Sequence, residues 1–199
     1  SNASASIANP EFFKKLAQSI TQELTSVTEE GYFYRVDLRL RPEGSAGSVA
    51  SPLTSYKNYY ATWGETFERL ALIKARPVGG SLDLGQEFCQ AFNPFVYRKF
   101  LDFAALEEIQ EVKSRIDAKL GSKPRPESHV KLGPGGIREV EFFVQALQLI
   151  YGGRNPDLQE RNTFKALDKL HSHRFLSTEE YTELREAYLF LRDLEHKLQ

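Results

Sequence analysis

The segment YRVDLRLRPEG, Tyr34 to Gly44, constrains this chain more than any other. Its residues alternate strictly. Tyr34, Val36, Leu38 and Leu40 share one face, and Arg35, Asp37, Arg39 and Arg41 share the other. A period of two is that of extended backbone, so a half-buried strand is expected over about residues 32–40. One strand cannot make a stable sheet, because its N–H and C=O groups need neighbours to pair with. An α+β architecture is therefore expected, with partner strands in less legible segments or in polypeptide upstream of this sequence. The polar face sets one carboxylate among three guanidiniums, just ahead of a loop with Gly44 and Gly47. A lone acid beside arginines suits work on phosphates, the acid holding a divalent metal and the arginines taking anionic oxygens. A solvated sheet face with a charge ladder gives the same pattern.

Elsewhere the periodicity is helical, so the expected fold is mostly α. Asn9-Pro10 reads as cap and first position of a helix with Phe12, Leu16, Ile20 and Leu24 as its apolar stripe. Residues 41–53 are a Gly-, Pro- and Ser-rich loop, and from Thr54 a helical pattern runs until Pro77 and Gly79-Gly80 end it, with Ala71 to Val78 open between helix and strand. Further helices are expected at 81–92, at 103–120 with Leu106, Ile109, Ile116 and Leu120 inward, at 137–151, at 162–173 and from about 178. The 137–151 helix is apolar almost all round and should be central. The last helix should face inward with Leu184, Tyr188, Leu191, Glu195 and Leu198, and GSKPRPES at 121–128 reads as a turn or linker.

Two more segments carry possible chemistry. KLGPGGIREVEFF, Lys131 to Phe143, feeds a glycine turn into a helix. Free N–H groups at Gly135-Gly136, flanked by Lys131 and Arg138, would suit an anion. Taken alone, the segment reads rather as a tight turn with Glu139 and Glu141 well placed in the first helical turn. It is no Walker A loop, since GK[ST] is absent. ERLALIKAR, with Glu65, Glu68, Arg69, Lys74 and Arg76, reads as a solvated mixed-charge face. His171 and His173 read as a surface pair, Cys89 as a packing residue, and Tyr56, Tyr59, Tyr60 and Trp63 as core.

Composition narrows the classes. A net charge of −1, from 26 basic and 27 acidic residues, gives no reason to expect nucleic acid or an anionic membrane. One cysteine among 199 residues excludes an internal disulfide framework and fits a reducing, cytoplasmic setting. No apolar run reaches the roughly 18–20 residues that a spanning helix needs. The sequence has no Met and opens on Ser1-Asn2-Ala3, which reads as the scar of a cleaved tag, so a piece of a longer protein is expected.

Taken in order, YRVDLRLRPEGSAG, FERLALIKARPVGG, PFVYRKFLD, KLGPGGIREVEFFVQALQLIYGGRNPDLQ and AYLFLRDLEHKLQ resemble the glutamate-ammonia-ligase adenylyltransferase family. The resemblance runs from about residue 10 to residue 199. It implies a truncated nucleotidyltransferase (polymerase-beta-like) domain at 4–94, lacking its upstream D-x-D strand, and a helical bundle at 95–199. Members join two nucleotidyltransferase halves. One attaches AMP to a tyrosine of glutamine synthetase, and the other removes it by phosphorolysis to ADP.

GGIREVEF and LIYGGRNPDLQ look more like the adenylyl-removing half. The transferring half more typically has Asp where Glu139 stands, and Phe67 replaces a frequent Trp. The resemblance gives Asp37 the role of a Mg2+ ligand, with Arg39 and Arg41 beside it as catalytic groups. Lys74, Arg76, Lys131, Gly135, Gly136 and Arg138 become candidates for phosphate or nucleotide contacts. Implied partners are glutamine synthetase, the PII signal protein, ATP or ADP and inorganic phosphate. Without the D-x-D pair the isolated segment is expected to be inactive. Two alternatives stay open: the transferring half or a sister nucleotidyltransferase, and a non-catalytic helical docking or regulatory module.

Overall fold

The computed structural model describes residues 8–31, 33–100, 107–114, 118 and 130–198. Two compact units make up the chain, dividing between Gly64 and Glu65. The sequence boundary at 94/95 falls inside a helix, Leu82–Val96.

In the first unit, helix α1 spans Asn9–Thr25 and α2 spans Leu53–Thr62. The position ahead of α1 is Ala8, with no side-chain cap, so Asn9 is the first helical residue and not the cap. None of α1's residues is buried, and its stripe of Phe12, Leu16 and Ile20 is about half exposed. The expected strand at 32–40 is not formed. Residues 34–37 have no regular structure, 38–39 are a turn, and the described residues contain only an isolated bridge between Thr28 and Gly31. Its alternation has nothing to pair with among them, and Tyr34 and Leu40 lie exposed. The fold is mostly helical as expected, and no strand forms among the described residues.

The second unit begins with α3, Thr66–Ile73. The single helix expected from Thr54 is thus two, interrupted at Trp63-Gly64-Glu65. Glu68 Oε2 accepts from Glu65 N at 2.9 Å, which restarts the helix. Trp63 is exposed, against expectation, whereas Tyr60 is buried. Helix α4, Leu82–Val96, starts with the Ser81 hydroxyl accepting from Leu84 N. Helix α5 has 107–114 as its described residues, with Ile109 and Val112 buried; Leu106, Ile116, Leu120 and the 121–128 linker lie outside the described residues.

Helix α6, Ile137–Tyr151, is the centre, packing against α3, α7 (Thr163–Ser172) and α8 (Thr178–Lys197). Its buried positions are Ile137, Val140, Val144, Gln148 and Leu149, a helical face; Phe143 points outward, so the helix is amphipathic. Leu149 joins Leu70, Ile73, Val96, Tyr97, Ile109 and Val112 in one core cluster. Val144 joins Leu158, Leu167, Leu170 and Leu176 in another. Asn162 caps α7, and Ser177 with Glu180 forms a reciprocal box at α8. On α8 Tyr188 is buried, but Leu198 is exposed. A Cβ on Gly153 would run into the Arg98 carbonyl, and one on Gly152 would lie 2.8 Å from the Tyr97 ring. That close approach is why two glycines follow α6.

Candidate functional site

The candidate residues fall in two places, one in each unit. In the first unit Asp37, Arg39 and Arg41 share one loop. The Asp37 carboxylate accepts from Arg39 N and Arg39 Nε on Oδ1, both at 2.9 Å, and from Arg39 Nη2 on Oδ2 at 2.6 Å. A short polar side chain that bonds the backbone two residues on forms its own turn. Hydrogen bonds from Arg39, side chain then backbone, hold the Asp37 carboxyl down at about 2. The pair is exposed to solvent.

Arg41 does different work. Its Nε donates to Gly47 O at 3.1 Å, its Nη2 to Ser45 O at 3.2 Å, and its Nη1 to Leu38 O. One guanidinium thus gathers three carbonyls and closes the 38–47 loop. The turn also needs positive φ at Glu43 (60°) and Gly44 (58°). Arg41 is a loop clamp, and Arg39 is the guanidinium turned to solvent.

In the second unit Lys74 ends α3 half-buried. Its Nζ donates to Arg161 O at 2.5 Å and to the Thr163 hydroxyl at 2.9 Å. Burial pushes its pKa down, while Glu141 and Glu160 pull it back up. Tyr188 donates its hydroxyl to Glu141 Oε1 at 2.8 Å, and burial pushes its phenol up to about 12. Glu160 is held ionised chiefly by the Asn162 N–H, with Lys169 adding to it. Arg76 is exposed, and no described residue engages its side chain.

The start of α6 holds Lys131, Gly135, Gly136 and Arg138, but not free N–H groups. Gly135 N donates to Glu139 Oε2 at 3.0 Å, Gly136 N to Gly133 O at 2.9 Å, Ile137 N to Val130 O at 3.0 Å and Arg138 N to Lys131 O at 3.2 Å. The chain's own oxygens fill the position expected for an anion. Lys131 Nζ lies 3.4 Å from Glu195, which also pairs with Arg192 at 2.7 Å. The geometry is that of the tight turn.

Sequence reasoning missed Glu160, Arg161, Thr163, Gln148 and Tyr188 as the setting of Lys74. They stand 74 to 114 positions further along the chain, and no local spacing signals them. It also misread Glu68 and Arg69, which are buried rather than solvated.

The magnesium implied by the resemblance does not fit the described residues. They contain no group of three His, Cys, Asp or Glu side chains able to hold an ion, and both Asp37 oxygens face Arg39. No helix among them is long and apolar enough to cross a membrane.

Residues 1–91 match the family model of glutamate-ammonia ligase adenylyltransferase, and residues 104–199 match that of GlnD PII-uridylyltransferase. The chain is 43% identical over 194 residues to a bifunctional glutamine synthetase adenylyltransferase/adenylyl-removing enzyme of Hahella chejuensis, covering 98% of this chain and 20% of that one. An enzyme of the same name from Stenotrophomonas maltophilia is 47% identical over 195 residues, covering 97% and 21%. One from Pseudomonas aeruginosa is 43% identical over 197 residues, covering 99% and 20%. The chain thus spans about one fifth of the length of the curated relatives it matches. With nearly every residue of the chain inside these matches, it belongs, as a segment, to the family of glutamine synthetase adenylyltransferase/adenylyl-removing enzymes.

Proposed function

We propose that this segment belongs to the half of the longer enzyme that removes AMP from adenylylated glutamine synthetase by phosphorolysis, releasing ADP. The observation that carries the reading is the exposed Asp37–Arg39 pair, presented by an Arg41-clamped loop inside the part that matches the adenylyltransferase model. Arg39 offers a planar fork to phosphate oxygens, and an oxygen that takes the fork releases Asp37. Arg41 acts by holding the loop, and Arg76 is an exposed cation available to an anionic substrate. The choice of the removing half rests on the GGIREVEF and LIYGGRNPDLQ segments.

Mg2+ remains part of the reading for the longer enzyme, where Asp37 would need further carboxylates; no step through it follows from these residues. The isolated segment is accordingly proposed to be inactive, and phosphate-dependent release of ADP from adenylylated glutamine synthetase by the purified segment would refute that. The match of residues 104–199 to a PII-uridylyltransferase model favours a second role for the helical unit, in receiving a PII-type signal.

The test is Asp37→Ala in the longer enzyme, with both reactions assayed separately. Loss of phosphate-dependent ADP release alone is expected. Loss of adenylylation alone would move the segment to the transferring half, and no change in either would remove Asp37 from the site.

A further inference from the structure

Arg69 is 3% exposed, yet none of the described residues forms a hydrogen bond or an ion pair with its guanidinium, and its Nε is a buried donor without a partner. Among the described residues its guanidinium lies over the ring of Phe95, whose centroid is 5.1 Å from Cζ. That contact uses the face of the guanidinium, whereas all its N–H donors lie in the plane. An arginine cannot shed its charge as a buried lysine does, so a buried guanidinium calls for an acceptor. The nearby carboxylates are turned elsewhere. Glu68 Oε2 takes the Glu65 N–H at 2.9 Å, and Glu108 Oε2 takes the Thr66 hydroxyl at 2.6 Å. Thr66 and Arg69 are three apart on α3 and share a face, so Glu108 is the carboxylate with the best claim and does not exercise it.

We infer that Arg69 receives a phosphate-type oxyanion between α3 and Phe95 of α4, a site distinct from the Asp37 loop and independent of which reaction that loop serves. A planar fork with unused in-plane donors matches two oxygens of a phosphoryl group. Both free phosphate and the phosphate of a nucleotide present that chemistry.

The experiment follows the Arg69 side-chain Nε–H by NMR in the 199-residue chain, assigned by its loss in Arg69→Lys. Inorganic phosphate is titrated at constant ionic strength, and ADP in a parallel series. A saturable shift of that signal is expected, with a phosphate-dependent rise in thermal midpoint that Lys165→Gln, at an exposed position of α7, keeps and Arg69→Met loses. Tighter saturation by ADP would assign the site to a nucleotide phosphate, and equal or tighter saturation by phosphate to the free ion. No shift with either ligand overturns the proposal. So does an Nε–H signal already protected without ligand and freed by Glu108→Gln, because the acceptor is then internal. Should Arg69→Met fail to fold, the titration of the unmodified chain still decides.

Discussion

Lys74 and Arg161 tie two segments together, Lys74 through the Arg161 carbonyl and Arg161 through the carbonyl of Ala75. The Lys74 ammonium donates to the Arg161 carbonyl at 2.5 Å, and Arg161 Nη1 donates to the carbonyl of Ala75, Lys74's neighbour, at 3.3 Å. The end of α3 is thereby tied to the turn that starts α7. Lys74 is a structural tie here and not a free phosphate ligand.

Removing that ammonium leaves the Thr163 hydroxyl and the Arg161 carbonyl without their donor. Lys74→Met is expected to cost about 1–2 kcal/mol, since bonds from charged donors are worth more than neutral ones but this one is half exposed. The midpoint of the second unit should fall by about 3–6 °C. Burial lowers the folded-state pKa of Lys74, so the folded state disfavours its charge more than the unfolded chain does. That penalty is present at neutral pH and fades as pH rises through the folded value toward the unfolded one. An unchanged midpoint in thermal melts at pH 7 would make the clasp incidental.

The glycines after α6 give a sharper contrast. Gly153→Ala forces a Cβ against the Arg98 carbonyl and within 2.9 Å of Lys99 N, both of them backbone. A loss above about 2 kcal/mol is expected, because no side chain can swing aside. Gly79→Ala meets nothing within 4 Å and has no positive φ, so it should stay within about ±0.5 kcal/mol. Denaturant melts of the two variants side by side test the packing of residues 97–99 on the end of α6.

Asp37 should remain ionised far into acid. Its folded pKa of about 2 lies below the unfolded value, so its contribution to stability is fully present above about pH 4 and is lost as pH falls through about 2. Carboxyl 13C titration should show that low midpoint, and Arg39→Gln should return it toward the ordinary range. A midpoint near 3.9 in the unmodified chain would mean that the Arg39 fork does not hold in solution.

What the sequence made legible was local. Periodicity placed helices at 81–92, 162–173 and from about 178, and the structure caps them with Ser81, Asn162 and Ser177, each side chain accepting from the backbone N–H three residues on. The break at Gly64 was hidden by apolar spacing that continues across it, and by a capping box whose first member is Glu65 and not Ser or Thr. The alternation from Tyr34 to Arg41 is a property of the residues, but a strand is a property of at least two segments. Arg69 and Glu68 looked solvated because a mixed-charge face carries no mark of what packs on it. The Lys74–Arg161 clasp joins positions 87 apart, beyond any window of periodicity.

Gln148 extends that clasp into the core. It is 1% exposed, and its Nε2 donates to Leu158 O at 2.7 Å and to Glu160 O at 2.6 Å, just ahead of Arg161. Gln148→Leu keeps much of the volume but strands two carbonyls, so a loss of about 2–4 kcal/mol is expected. Because Gln148 and Lys74 fix adjacent carbonyls of the same 158–163 turn, their removals should not add. Once either lets the turn move, the other has less to hold, and the double variant should lose about 0.5–1.5 kcal/mol less than the sum. Additivity within about 0.3 kcal/mol would show two independent anchors and undo the single polar node inferred from the geometry.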